Sequence, residues 1–174
     1  MRRFAAAFLI LLVLLSTASA QTDQPWIRLA PENTGFAVML PAKPEEQVNT
    51  KENFSSRLFT LLTKDGATPR AFYLMGWGEY APSVKLNTQA ELEANRDNFI
   101  KEIPGMRLLG TQKISLDGRP GIEFTGESNQ ASVVSRVYVV GNRVYQLAVM
   151  VSKGMEEKQN MNKFFDSFAF TTNN

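Results

Sequence analysis

Short segments rich in β-branched and aromatic residues make up most of this chain, and turn-forming Gly, Asn and Asp residues separate them. Such a pattern is typical of β-strands joined by hairpins. The pairs Asp117-Gly118 and Gly141-Asn142 favour tight hairpin turns, which need positive φ at one or both central positions. The pattern predicts strands over residues 26–30, 36–40, 54–63, 70–80, 106–116, 119–126, 132–140 and 143–152.

Two further segments have the apolar spacing of amphipathic helices. The first is predicted to begin at the capping box of residues 88–91, where the Thr88 hydroxyl accepts from the Glu91 amide and the Glu91 side chain reaches back. Pro104-Gly105 ends this helix. The second is predicted over residues 155–167, and its apolar side chains follow i, i+3, i+4, i+7 spacing: Met161, Phe164, Phe165 and Phe168. The polar stretch 45–53 is predicted to be the longest loop.

Several of the predicted strands are apolar on both sides, namely 54–63, 133–140 and 144–151. A strand that is apolar on both sides has to be covered on both sides. Because the links between strands are hairpins, the sheet is expected to be antiparallel. We therefore predict an α+β domain in which helices cover both faces of an antiparallel sheet of about six to eight strands, a three-layer α/β/α sandwich.

The first 20 residues have the organisation of a secretory signal peptide. Arg2 and Arg3 precede an apolar run over residues 4–15, which is too short for a membrane anchor, and Ala18-Ser19-Ala20 provides the cleavage site. Residues 21–174 are then a single domain of ordinary size. The protein is expected to be exported, periplasmic or extracellular, with no membrane anchor after cleavage.

Composition excludes several classes of function. Cleavage after residue 20 leaves 17 basic and 17 acidic residues, so the chain lacks the basic surface that nucleic-acid binding requires. The chain has no Cys, which excludes a disulfide scaffold and lipid attachment at a cysteine, and no His. Adjacent carboxylates, Glu45-Glu46 and Glu156-Glu157, are predicted to point apart on solvated surface. We therefore predict no catalytic residues, no metal and no cofactor.

The candidate binding residues are Tyr73, Trp77, Glu79 and Tyr80, which share one predicted strand. Gly76 and Gly78 flank the tryptophan and are expected to leave its ring uncrowded. Aromatic side chains beside a polar group are typical of sites for carbohydrate, peptide or protein. The alternative interpretation is that the aromatic side chains pack in the core under a helix, or line the loop over residues 81–87.

Two arginines also lie in mid-strand among apolar neighbours, at Arg57 and Arg136. Burial of a guanidinium requires a partner. That partner is either a structural carboxylate or an anionic ligand.

Several motifs resemble those of exported bacterial proteins with a PsbP-like domain. They are residues 35–44 (GFAVMLPAKP), 116–124 (LDGRPGIEF), 136–140 (RVYVV), 143–147 (RVYQL) and 164–168 (FFDSF). Ala37 and Ala42 depart from the residues most common at those places. The resemblance spans the predicted mature chain and implies an antiparallel sheet flanked by helices. It implies little about activity, because the motifs are folding signals and a fold does not carry function. The property common to the family is non-catalytic binding.

We accordingly expect an accessory or binding domain whose partner is a protein of the cell envelope. One alternative is an enzyme with a carboxylate-based site, which requires a pocket where acidic groups converge. Another is a carrier of a small apolar ligand, which requires an interior cavity.

Export predicts a processed protein. Because cleavage is expected after Ala20 and no cysteine is available for acylation, mass spectrometry of the protein from expressing cells should find an amino terminus at Gln21 and no lipid adduct. An intact Met1 terminus, or an acylated species, would contradict this prediction.

Overall fold

The computed structural model describes residues 25–171, and these form a mostly-β fold with two helices. The predicted signal peptide lies outside the described residues. In chain order the elements are β1 (Ile27–Leu29), β2 (Phe36–Leu40), β3 (Glu45–Lys51), β4 (Phe54–Asp65), β5 (Thr68–Tyr80), α1 (Thr88–Glu102), β6 (Arg107–Leu116), β7 (Arg119–Glu127), β8 (Ala131–Val140), β9 (Arg143–Ser152), α2 (Lys158–Asp166) and β10 (Ala169–Phe170).

The described strands form two antiparallel sheets. The larger has seven strands in the order β3-β4-β5-β9-β8-β7-β6, and the smaller has the order β1-β2-β10. The predicted hairpins are present, because Asp117 and Gly118 both have positive φ (51° and 74°) and Gly141 has a φ of 61°. The prediction of an antiparallel sheet of six to eight strands is confirmed.

One prediction about an individual segment is wrong. The stretch predicted as a loop contains β3, which pairs with β4 along its whole length although all seven of its side chains are exposed. Such a strand has no apolar alternation to detect, and its charged residues Glu45, Glu46 and Lys51 are typical of a sheet edge. Strands β1 and β2 lie in the small sheet, because β2 pairs with β1 and β10 and not with the large sheet.

Buried apolar side chains form two clusters on opposite faces of the large sheet. In β8, Tyr138 belongs to the first cluster while Val137 and Val139 belong to the second, since successive side chains of a strand point to opposite faces. The first cluster joins the large sheet to β2 and α2 through Phe36, Val38, Leu40, Tyr73, Met75, Leu147, Val149, Phe164 and Phe165. The second joins it to α1 through Leu92, Ile122, Phe124, Val137, Val139 and Val144.

The helices begin and end differently from the prediction. Asn87, not Thr88, caps α1, because its Oδ1 accepts from the Ala90 amide at 3.0 Å. The predicted capping box is therefore wrong, and the Glu91 carboxylate is available for other contacts. The second helix is shorter than predicted, at Lys158–Asp166, and Phe168 lies just beyond its end but is still buried.

Docking of α2 depends on Phe164, which is fully buried and meets the Tyr73 ring edge-on at 5.4 Å between centroids. Replacing Phe164 by alanine should cost about 3–5 kcal/mol of unfolding free energy, since it removes a ring and leaves a cavity. Denaturant unfolding measures this cost. Leu109→Ala is the control, because Leu109 is 50% exposed and its substitution should change the unfolding free energy by less than about 0.5 kcal/mol. Equal unfolding midpoints for the two variants would show that Phe164 does not hold α2 in place.

Candidate functional site

Tyr73 and Trp77 are core residues. Tyr73 is 0% exposed and Trp77 is 8% exposed, and both belong to the first cluster together with Met75. The odd-numbered residues of β5 face β2 and α2, which cover them. The hypothesis that Tyr73 and Trp77 form an exposed contact surface is therefore wrong. Both side chains pack in the core, as the alternative interpretation predicts.

The Tyr73 hydroxyl belongs to a buried polar network around Glu157. It donates to Glu157 Oε2 at 3.3 Å, and Asn160 Nδ2 donates to the same oxygen at 2.8 Å, while Arg70 Nε donates to Oε1. Burial and the Glu157 carboxylate raise the pKa of Tyr73 above its ordinary value. Glu157 was predicted on solvated surface with Glu156, but it is 5% exposed. The network ties the start of α2 to β5.

Charged residues in the strands have internal partners. The Nε atoms of Arg57, Arg136 and Arg143 lie 2.7 Å from carboxylate oxygens of Glu46, Glu123 and Glu79, respectively. The Arg136 guanidinium also stacks over the Phe165 ring at 4.7 Å. These contacts favour the structural interpretation of Arg57 and Arg136, and they place Glu79 in an ion pair across β5 and β9.

A side chain at position 76 or 78 would lie on the face of the sheet that carries α1, opposite to the Trp77 ring, because side-chain direction alternates along a strand. A Cβ at Gly76 would lie 3.7 Å from the Gln146 carbonyl oxygen and from Leu58 Cδ1, so there is room beside it. A Cβ at Gly78 would lie 2.7 Å from the Phe54 ring, which occupies that space. Gly76 therefore leaves room on the α1 face, the Phe54 ring fills the place beside Gly78 on that face, and neither glycine clears space around the tryptophan.

A groove of about 510 Å³ follows from this missing side-chain volume. Helix α1 packs on β7 and β8 and leaves this part of the face open, over β4, β5 and β9. Glu91, Asn95 and Glu102 of α1 line one side of it. The residues that line it from the sheet are Asn49, Phe54, Ser56, Arg57, Leu58, Gly76, Trp77, Gly78, Tyr80, Val144 and Gln146. Its volume falls within the range of about 300–1,000 Å³ that is typical of ligand sites.

Tyr80 connects the groove to the predicted site residues. Its hydroxyl donates to Glu91 Oε1 at 2.9 Å, and Asn95 Nδ2 donates to the same oxygen at 3.0 Å. Burial, together with the Glu91 carboxylate, raises the pKa of Tyr80 to about 12, so the hydroxyl stays protonated and remains a donor at neutral pH. Of the four candidate residues, Tyr80 is the one whose half-buried side chain contacts the helix side of the groove.

Sequence reasoning missed the groove although it identified the glycines. The Gly-Trp-Gly pattern indicated that side-chain volume is missing here, but the free space was expected around the Trp77 ring, on the opposite face of the sheet. Likewise Glu91 was assigned to the helix cap, whereas it holds Tyr80 and Asn95. Strand alternation could have assigned the glycines to the other face, because residues 76 and 78 are adjacent to Trp77 in the strand and adjacent residues face opposite sides of the sheet.

The groove does not bring carboxylates together for catalysis. Glu91 and Glu102 are eleven residues apart on α1, which corresponds to about 16 Å along a helix axis. Paired catalytic carboxylates of glycosidases lie about 5–10 Å apart. Within residues 25–171 there is no group of three or more Asp or Glu side chains placed to hold a metal ion.

Comparison with known proteins supports the fold. No family model matches the sequence, and no curated protein matches it. Among solved structures, the chain is similar to the cyanobacterial PsbP protein CyanoP from Synechocystis, with a TM-score of 0.53 and 11% identity over 90% of this chain and 98% of that chain. At this identity the likeness shows the fold alone. The domain therefore has a PsbP-like fold, as its motifs indicate.

Two other solved structures are similar at lower scores. LpqN of Mycobacterium tuberculosis, described as involved in cell envelope biogenesis, has a TM-score of 0.47 and 12% identity over 86% of this chain and 94% of its own. A protein of Bacteroides thetaiotaomicron has a TM-score of 0.40 and 13% identity over 83% of this chain and 48% of its own. Separately, none of the helices within residues 25–171 has the length and apolar character needed to cross a membrane.

The two glycines should respond differently to alanine. Gly76→Ala should raise stability by about 0.5–1 kcal/mol, because the Cβ fits and alanine loses less backbone entropy than glycine on folding. Gly78→Ala should lower stability by about 1–3 kcal/mol, since its Cβ meets the Phe54 ring. Thermal and denaturant unfolding of both variants check this. A Gly76→Ala variant destabilised as much as Gly78→Ala would mean that no space exists over Gly76.

Proposed function

We propose that this protein is an exported accessory domain that binds a segment of a partner protein in the cell envelope, without catalysis. The observation that carries the proposal is the groove between α1 and strands β4, β5 and β9. Its floor lacks side chains at Gly76 and Gly78, the second cluster lies beside it on the same face of the sheet, and the first cluster lies on the opposite face. Binding sites are typically such preformed concavities, with a few polar groups among apolar ones.

The three-layer organisation forms part of the same proposal. In it, α1 covers one face of the large sheet, while α2 and the small sheet cover the other. The contacts that support it are those of Leu92 with the second cluster and of Phe164 with the first. Because α1 lies over β7 and β8, its side with Glu91, Asn95 and Glu102 borders the groove, and the helix does not cover it.

An enzyme with a carboxylate-based site is favoured less. Such a site requires acidic groups that converge on one reacting atom. The two carboxylates of the groove lie far apart along α1, and Glu91 already accepts from Tyr80 and Asn95. A carrier of a small apolar ligand is favoured less as well, because such sites enclose most of the ligand surface and this groove is open to solvent along one side.

Filling the groove tests the proposal. Gly76→Leu places a side chain on the groove floor, where a Cβ has ordinary contacts, and should abolish capture of the partner from the envelope fraction. Gly110→Leu is the matched control, because Gly110 lies in β6 outside the groove and a Cβ there meets only Thr125 Oγ1, at 3.8 Å. Affinity capture with tagged wild type and both variants, followed by mass spectrometry, gives the comparison.

The expected result is one set of proteins retained by wild type and by Gly110→Leu, and lost with Gly76→Leu. Proteins retained equally by all three would show that binding takes place elsewhere on the surface. Circular dichroism of each variant shows that the fold is kept, and Gly76→Ala serves as a milder substitution at the same site.

A further inference from the structure

We infer that the partner segment is an extended peptide with a Lys or Arg side chain beside apolar ones. The inference rests on the proposed function of the groove and specifies its ligand. The groove has carboxylates on its helix side and, on its floor, Phe54, Leu58 and Val144 among the polar residues Ser56 and Gln146. The apolar face of β4 and β5 continues beyond the groove. Each of these features restricts the occupant.

The charge of the groove is negative. Glu91 and Glu102 line it from α1, and neither has an ion pair with Lys or Arg among the described residues. Arg57 also lines the groove, but it stands opposite Trp77 in the β4–β5 register and its guanidinium pairs with Glu46. The acidic charge on the helix side is therefore left for a cation from outside the domain.

Glu91 is held ready for such a cation. Tyr80 and Asn95 both donate to its Oε1, whereas Oε2 has no hydrogen-bond partner within residues 25–171. Both donors fix the side chain before any ligand arrives, so little conformational entropy remains to be lost on binding. A carboxylate oxygen that accepts from an ammonium or guanidinium group forms a shorter and stronger hydrogen bond than neutral groups do.

The floor of the groove calls for apolar side chains next to the cation. Leu58 and Val144 lie beside Gly76 and Gly78, and the same face of β4 and β5 continues with half-buried Phe72 and Leu74 and with Leu62, which is 47% exposed. The register places Leu62 opposite Phe72. From Phe72 to Gly78 the strand advances roughly 20 Å, the length of an extended peptide of about six residues. A small cation would leave most of this face uncovered.

A peptide selection tests the inference. A phage-displayed library of random heptapeptides is selected on the purified protein, and the enriched peptides are synthesised and measured by fluorescence polarisation. We expect Lys or Arg with apolar neighbours in the enriched sequences. Their binding should weaken at least about tenfold in Glu91→Gln, because this substitution removes a half-buried charged acceptor. It should weaken about two- to fivefold in Glu102→Gln, because Glu102 is exposed and solvent screens its charge. Binding should be lost in Gly76→Leu.

Glu93→Gln is the matched control. Glu93 lies exposed on the same helix, accepts from Gln89 at 2.6 Å and does not line the groove, so its substitution removes the same charge at a different position. Binding should change less than twofold. A loss as large as that of Glu102→Gln would show that the net charge of the helix, not a contact in the groove, attracts the peptides, and would overturn the inference.

The other outcomes separate the inference from the proposed function. Two outcomes concern the charge: the enriched peptides lose binding in Gly76→Leu and yet carry no basic residue, or they bind both Glu→Gln variants as tightly as wild type. Either result overturns the charge requirement and leaves the groove as the binding site. Peptides that bind Gly76→Leu as well as wild type overturn the groove itself. If no sequence is enriched over a blank surface, the inference that the ligand is an extended peptide is wrong.

Discussion

Alternation of side chains along β5 is the constraint on which both the core and the candidate site depend. The strand lies near the middle of the large sheet, between β4 and β9, so both of its faces matter to the fold. Tyr73, Met75 and Trp77 fill the face toward β2 and α2. On the other face, Gly76 and Gly78 carry no side chain, and the groove begins there. A shift of one residue in the pairing of β5 would exchange the two faces, burying glycines and exposing the tryptophan.

Polar contacts hold the start of α2 against this strand. Glu157 is buried at the start of α2, and its oxygens accept from Tyr73, Arg70 and Asn160. A buried carboxylate without such partners would carry a large desolvation cost, which explains why the three donors converge on it. The half-exposed pair of Glu79 and Arg143 contributes less, because solvent screens it. The network fixes the start of α2 against β5, and Phe164 packs edge-on against the Tyr73 ring beside it.

The groove exists because α1 covers only part of its face. Leu92 anchors the helix in the second cluster over β7 and β8, and its polar side then faces the uncovered strands. Asn87 caps the helix, so Glu91 is free to accept from Tyr80. The Glu91 carboxylate therefore lines the groove and does not cap the helix. The PsbP-like fold supplies the frame, and function depends on the side chains placed on it.

Local patterns in the sequence determined much of the fold. Turn pairs specified the hairpins at residues 117–118 and 141–142, because few residues accept positive φ, and the apolar spacing of Met161, Phe164 and Phe165 specified α2. The polar strand β3 had no such local signal, since its pairing with β4 is a property of the sheet edge. The candidate site depended on tertiary structure: whether Trp77 is covered, and which face the glycines clear, is decided by β2, α2 and α1. Those elements are distant in sequence, and the burial of a side chain depends on what packs against it.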